Sequence, residues 1–173
     1  MGLIANYQEI ETNELDEIIE SIESEENIDL STKIDFLSES STLNQYNMDK
    51  MWDSLNFLIS GERFEDLTFK NLISDAVFGS CQFPENISDQ YLSFVAPDTV
   101  CDIADELNEI DIDSYLEKFN MNEFAKNNIY PEIWEYTDEK DFIKCDLKKC
   151  FEGLKDFYTE IAKNGNSVLV SIG

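Results

Sequence analysis

Trp52 and Asn56 are the two residues whose types and spacing best suit a small-molecule pocket. They lie four positions apart, and on a helix this spacing places two side chains next to each other. The indole could form an aromatic wall, and the amide could both donate and accept hydrogen bonds. Arg63 and Gly79 are candidates to complete the pocket. The alternative is a core tryptophan beside an asparagine that bonds to the backbone of a loop.

Arg63 has two interpretations of its own. It is the only arginine in the sequence, because the other eleven basic residues are lysines. A guanidinium presents a rigid fork of donors that could bind the anionic group of a ligand. It could instead form an ion pair with a neighbouring carboxylate, for which Glu62, Glu65 and Asp66 are the candidates.

Catalytic chemistry has little support in the residue types. The sequence has no histidine, which excludes Ser-His-Asp and Cys-His catalysis and zinc sites with histidine ligands. No serine lies in a G-x-S-x-G motif, and there is no phosphate-binding glycine loop, no calcium loop and no C-x-x-C pair. We therefore expect no catalytic residues, no metal and no cofactor, and we expect the four cysteines to be free, partly buried thiols.

The charge of the chain excludes two classes of partner. Its 38 acidic side chains outnumber 12 basic ones, which gives 173 residues a net charge of −26. Proteins that bind nucleic acid need a basic surface to release counterions from phosphates, and anionic membrane surfaces would repel this chain. There is also no signal segment and no run of about 20 apolar residues. We expect a cytoplasmic protein that binds neither nucleic acid nor membranes, and its oligomeric state stays open.

The acidic residues are concentrated in two stretches. Residues 9–29 contain ten carboxylates and residues 98–117 contain eight, and neither stretch has a lysine or an arginine. Residues 140–163, by contrast, hold six lysines and five acids. This pattern predicts a directional acidic surface, although a solvated surface without a function is the alternative. The candidate residues of the acidic interaction face are Glu14, Glu17, Glu20, Asp98, Asp102, Asp105, Glu106 and Glu109.

A mixture of helices and short strands must position these candidates. Strands are expected at residues 2–10, 91–95 and 167–172, with helical periodicity between them. Residues 23–42, which are rich in Ser, Glu and Asp, are typical of a loop. The pattern predicts an α+β fold, in which residues 1–173 form one compact domain. Several amphipathic helices would pack on a small sheet that includes the N- and C-terminal strands.

Five residues predict where helices begin and end. Thr12 or Asn13 could cap the first helix, and Asn47 the second. Pro97 suits the first turn of a further helix, and Gly165 favours a left-handed end to the last one. The apolar stripe of the helix that begins near Pro97 is formed by Val100, Ile103, Ala104, Leu107 and Ile110.

Five short segments occur in a recognisable order along the chain. They are residues 1–7, 47–61, 72–79, 129–131 and 164–169. Together they resemble the opening, the D-K-x-W-x-x-L-H-F-x-L-T-G helix, the L-S-x-A-V-x-G segment, the I-Y-P motif and the closing G-N-x-x-L strand of the YfbM-like family of bacterial proteins of unknown function. The resemblance implies one α+β domain and no activity. Asn56 stands where that family commonly has His, so a hydrogen-bonding role could persist there but a proton-transfer role could not.

These observations lead to two hypotheses on function. The first is a non-catalytic acidic interaction protein that binds and neutralises a basic protein, as immunity proteins and inhibitors do. A nuclease toxin would be such a partner, because carboxylates could occupy its cationic cleft and accelerate association. The second is a small-molecule-binding domain or an enzyme of unrecognised type, with its pocket near Trp52 and Asn56. We favour the first hypothesis on the charge.

Overall fold

The positions of strands and helices come from a computed structural model, which describes residues 2–24, 43–68 and 70–173. The strands are β1 (Ala5–Ile10), β2 (Gln45–Asp49), β3 (Cys81–Gln82), β4 (Tyr91–Val95) and β5 (Ser167–Ile172). The α-helices are α1 (Thr12–Glu23), α2 (Trp52–Ser60), α3 (Leu72–Phe78), α4 (Pro97–Glu109), α5 (Ile112–Lys118), α6 (Met121–Lys126) and α7 (Lys140–Asn164). Residues 25–42 of the expected loop lie outside the described residues.

The two terminal strands form the centre of the sheet. The strand order is β2-β1-β5-β4-β3, and every neighbouring pair is antiparallel. Along the central pair, Ala5 lies opposite Ile172 and Ile10 lies opposite Ser167. The predicted α+β fold, with a small sheet that includes the N- and C-terminal strands, is confirmed.

The two faces of the sheet carry helical layers of very different size. Successive side chains of a strand point to opposite faces, so Val168 and Val170 face one way and Leu169 faces the other. The valines belong to the main core, to which helices α2 to α7 contribute. Leu169 belongs to a smaller core with Leu15 and Ile18 of α1. Helix α1 therefore packs on the face of the sheet opposite to the other six described helices.

Helix α7 organises the main core. Its buried side chains recur at helical spacing, and Tyr158 donates a hydrogen bond of 2.9 Å to the carbonyl of Ala76 in α3. From the sheet, Tyr7 donates a hydrogen bond of 3.0 Å to the carbonyl of Val77. Both tyrosines are fully buried, so each hydroxyl needs such a partner. Within the described ranges, no helix is both long and apolar enough to cross a membrane.

Some predicted helix ends are confirmed and others are wrong. Helix α4 begins at Pro97 as expected, and Gly165 ends α7 with a φ of +69°. Asn47, however, lies in β2, where its amide donates to Oδ1 of Asn6. An amide that could cap a helix serves equally well on the polar face of a strand, and sequence periodicity does not separate the two. No side-chain bond caps α1, because Glu11 occupies its N-cap position.

The cysteines differ in exposure from the expectation. All four are free, but Cys81, Cys101 and Cys145 are exposed, and only Cys150 is half-buried. Burial raises the pKa of the Cys150 thiol to about 11.

Glu9 joins three separate parts of the chain. Its carboxylate is buried and accepts hydrogen bonds from the backbone and side chain of Asn44, before β2, at 3.1 and 2.7 Å. It also accepts from the side chains of Asn164 at 2.8 Å and Asn166 at 2.7 Å, where α7 turns into β5. Burial alone would raise the pKa of Glu9, but these hydrogen bonds outweigh it and lower the pKa. The ionised form is therefore the stable one in the folded protein.

We expect Glu9→Gln to lower the free energy of unfolding by about 2 kcal/mol at neutral pH, because the new NH2 group would face asparagine donors. A folded pKa below the unfolded value means that this stability is present at neutral pH and is lost as the pH falls through the folded pKa. Urea unfolding at several pH values measures both effects. Exposed Glu11→Gln is the matched control, and equal losses in the two variants would contradict the role of Glu9.

Candidate functional site

Trp52 lies in an aromatic cluster at the start of α2. It is 3% exposed, and its ring stacks on Tyr130 with a centroid distance of 5.2 Å. The rings of Phe64 and Phe78 lie nearly perpendicular to the indole, with centroid distances of 5.5 and 5.8 Å. The indole nitrogen donates to the carbonyl of Leu3 at 3.2 Å. Three aromatic rings therefore pack against the indole of Trp52, and its N–H group is bonded within the protein.

The next two residues of α2 hold Tyr130 in place. Oδ2 of Asp53 accepts from the backbone N–H of Tyr130 at 2.9 Å, and Ser54 donates to the Tyr130 carbonyl at 2.6 Å. Oδ1 of Asp53 also accepts from the N–H of Phe64 at 3.3 Å. Burial raises the pKa of Asp53 in spite of these bonds. This carboxylate positions the walls around Trp52.

Asn56 is fully buried and bonds within the protein at both ends of its amide. Its Nδ2 donates to the carbonyl of Glu62 at 2.7 Å, and its Oδ1 accepts from Ser74 of α3 at 2.9 Å. The sequence left two roles open for Asn56, a ligand pocket or a bond to the backbone of a loop, and this geometry corresponds to the second. Asn56 links the end of α2 to α3, and a ligand could reach it only if this network opened.

A narrow cleft of about 180 Å³ lies beside Trp52 and includes Arg63 in its wall. Asn56 and Gly79 are not part of that wall. The guanidinium of Arg63 binds Asp66, with its Nε 2.6 Å from Oδ2, and lies 4.0 Å from Glu65. Of the four predicted pocket residues, the structure thus brings only Trp52 and Arg63 to one cleft. Arg63 forms an ion pair with a neighbouring carboxylate, which was the alternative to binding a ligand anion.

Gly79 is fixed by a close backbone approach. Its φ is +76°, and a Cβ atom there would lie 2.2 Å from Oγ of Ser93. The preceding carbonyl, of Phe78, accepts hydrogen bonds from the hydroxyls of Ser93 and Tyr91. A side chain at this position would separate α3 from β4, which accounts for the glycine without a ligand.

Asp75 is a buried residue that the sequence reasoning missed. It is 8% exposed, and its Oδ1 atom is buried without a hydrogen-bond partner within the described ranges. Burial raises the pKa of its carboxyl, and the charge of Glu62 raises it further. The signal was present, because Asp75 is the only charged residue in the otherwise apolar and small segment 72–79.

In the polar network next to Asp75, two acceptor oxygens share the single hydroxyl proton of Ser74. Oγ of Ser74 lies 2.9 Å from Oδ1 of Asn56 and 3.2 Å from Oε2 of Glu62. A serine hydroxyl has one proton, so it cannot donate fully to both oxygens. Among the described residues, no group of three or more His, Cys, Asp or Glu residues could hold a metal ion.

The acidic candidates do not form one continuous face. Those of α4 are all exposed and lie opposite its buried stripe, whereas those of α1 lie on the other side of the sheet. Within the described ranges, no ion pair involves a carboxylate of either helix. The nearest neutralised acid in sequence is Asp113 of α5, which binds Lys148 of α7 at 2.7 Å. There are therefore two separate acidic surfaces.

We expect Asp75→Asn to raise the melting temperature at neutral pH by a few degrees, since about 1 kcal/mol corresponds to roughly 2–4 °C for a domain of this size. A raised folded pKa makes the ionised carboxyl destabilising above that pKa, and stability returns as the pH falls through it. The advantage of the variant should shrink on acidification. Exposed Asp156→Asn, which removes the same charge, is the control; an equal gain there would show that only net charge matters.

Comparison with known proteins agrees with the fold. A family model described as a domain of unknown function, DUF1877, matches residues 1–171. Protein YfbM of Escherichia coli strain K12 is 23% identical over 173 residues, which cover 99% of each chain. The crystal structure of E. coli YfbM, a protein of unknown function, superposes with a TM-score of 0.78 at 22% identity, covering 98% of this chain and 99% of that one. The chain belongs to the DUF1877 family.

Proposed function

We propose that this chain is a non-catalytic binding protein whose acidic helix α4 engages a basic protein partner, in the manner of an immunity protein or an inhibitor. The observation that supports this function best is the outward face of α4. Five carboxylates are exposed there, and none of them forms an ion pair within the described part of the chain. They are Asp98, Asp102, Asp105, Glu106 and Glu109.

The packing of α4 makes it a rigid carrier for these charges. Its inner residues Val100, Ile103 and Leu107 have no exposed surface, and Asn108 bonds to Thr159 of α7 at 3.2 Å. A helix with a fixed backbone loses little backbone freedom on binding, and a cationic surface would relieve the mutual repulsion of its charges. Such an array also accelerates association at low salt. The acids of α1, on the opposite face, form a second surface that a single small partner would not contact together with α4.

The test is capture of proteins from a lysate of the native host at low and high salt. We expect the wild-type chain to retain a basic protein at low salt and to release it at high salt, because screening weakens exposed charge pairs. Reversal of Asp98, Asp102 and Asp105 to lysine should abolish retention. Reversal of exposed Glu132, Glu135 and Asp138 changes the net charge equally and should preserve it.

Two results would contradict the proposal. One is that no basic protein is retained at low salt. The other is that both triple variants lose retention to the same extent, because binding would then depend on net charge rather than on α4. Reversal of Glu14, Glu17 and Glu20 separates the two acidic surfaces, and loss of binding in that variant alone would assign the partner to α1.

The second candidate function is small-molecule binding in the cleft beside Trp52. The observation that favours it is the position of Arg63, whose side chain is 34% exposed in the wall of that cleft. A ligand anion there would have to displace Glu65 and Asp66 from the guanidinium, which limits the affinity.

Thermal-shift screening with metabolites and nucleotides tests this cleft. We expect any anionic ligand of the cleft to lose its stabilising effect in Arg63→Ala, because the guanidinium is the only cation in the described wall. Exposed Lys140→Ala removes the same charge elsewhere and serves as the control. Ligands that stabilise wild type and Arg63→Ala equally would bind elsewhere, and Asn56→Ala reports on the buried network instead.

A further inference from the structure

A groove of about 470 Å³ lies on the face of the sheet that carries α1. Its volume is within the range of roughly 300–1,000 Å³ that is typical of small-molecule sites. Its polar lining consists of Asn6, Gln8, Gln45, Asn47, Gln90 and Ser171, with Leu92 and Leu169 as apolar parts of the surface. We call this feature the amide groove.

The register of the strands creates the amide groove. Asn6 of β1 lies opposite Asn47 of β2 and opposite Ser171 of β5. One step further along, Gln8 lies opposite Gln45 and Leu169. Residues directly opposite each other point to the same face, so these side chains form two adjacent rows. Helix α1 covers the apolar side of this face through Leu92, Leu169 and Phe83, and the amide rows lie next to it.

Gln8 is the residue that distinguishes this groove from an ordinary polar surface. It is only 8% exposed, yet its side-chain amide has no hydrogen-bond partner within the described residues. Its neighbour Asn6, in contrast, already accepts from Asn47 at 2.6 Å, while no bond of its NH2 group is found among the described residues. Within the described residues, Oδ1 of Asp75 is the side-chain polar atom that is fully buried without a partner, so the Gln8 amide keeps some contact with water. A ligand in the groove could bond to this amide in place of that water.

The lining selects against charged ligands. Eleven of the described residues line the groove, and none of these eleven is charged, although 29% of the chain is Asp, Glu, Lys or Arg. An anion would also be repelled by the net charge of −26, and a cation would find no carboxylate among the described residues of the lining. The groups that face the groove are amides and a hydroxyl, each of which can donate and accept. This lining favours a ligand that is neutral and rich in hydrogen-bonding groups.

Two neutral ligand classes fit the groove poorly. A nucleobase gains much of its affinity by stacking on an aromatic ring, but Tyr7 and Tyr46 point to the other face, where their hydroxyls bond to the carbonyls of Val77 and Cys150. A peptide that extends a sheet pairs along an edge strand, which here would be beside β2 and not over the face of the sheet. In the floor of the groove, β1 and β5 use their backbone groups in the ladder between them. Hydroxyl groups around a small ring match the alternating amides and the leucine surface without these needs. We propose that the amide groove binds a small neutral sugar, a monosaccharide or a disaccharide.

The test is titration of the 15N-labelled full chain with neutral sugars, followed by NMR of its backbone amides. Glucose, galactose, mannose, N-acetylglucosamine, maltose and lactose are the probes. We expect saturable shifts for at least one probe, confined to residues 6–8, 45–47, 90–92 and 169–171. Gln8→Leu should weaken that binding about tenfold, which corresponds to the loss of one or two hydrogen bonds.

Further variants keep the result interpretable. Ser171→Ala removes one hydroxyl from the partly exposed wall with little effect on folding, and it should also weaken binding. Asn13→Ala, on the exposed part of α1, should leave sugar binding unchanged. Reversal of the charges on α4 should also leave it unchanged, because α4 does not line the groove. The proposal is overturned if no sugar gives saturable shifts in the groove. It is also overturned if folded Gln8→Leu and Ser171→Ala bind as well as wild type, or if adenosine or glycylglycine amide displaces the sugar at lower concentration.

Discussion

The pairing of β1 with β5 is the constraint on which the rest of this structure depends. It places residues from the two ends of the sequence side by side in the centre of the sheet, so nearly the whole chain lies within the loop that this contact closes. Closing a loop of that length costs conformational entropy, which the buried faces of both strands must offset. Glu9 supplies a second connection at the same place, because its hydrogen bonds join β1 to the segment before β2 and to the turn before β5. Both connections reach the end of α7, since β5 follows it directly and Asn164 is its last residue.

Much of this fold could be predicted from the residues, and the failures have physical causes. Signals that act within a few turns of backbone predicted helices correctly. Pro97 and the apolar stripe identified α4, and Gly165 identified the end of α7. The strand order depends on contacts between distant residues, and periodicity does not contain that information. Asn47 was misassigned because an amide suits both a helix cap and the open face of a strand.

The candidate site was harder to predict than the fold for a related reason. Helical periodicity correctly indicates that Asp98 points away from the core, but it does not say on which face of the sheet the helix packs. The acids of α1 and α4 therefore looked like one surface in sequence and are two in space. Likewise, the spacing of Trp52 and Asn56 places them side by side on α2, but Asn56 is turned toward the Glu62 loop and α3. In a sequence, a polar residue that bonds to other residues inside the protein cannot be distinguished from one that binds a ligand.

One of the asparagines that bind Glu9 lies in a sequence that is prone to deamidation. Asn164 precedes Gly165, and an asparagine followed by glycine is the sequence in which the backbone nitrogen most easily attacks the side-chain amide, releases ammonia and leaves aspartate or isoaspartate. Here the lost NH2 group is one of the donors to Glu9, and its replacement is a second carboxylate against the first. While the protein is folded, that same hydrogen bond holds the amide away from attack. The hydrogen bond that joins α7 to β1 thus also engages the side-chain amide whose loss would place two carboxylates together.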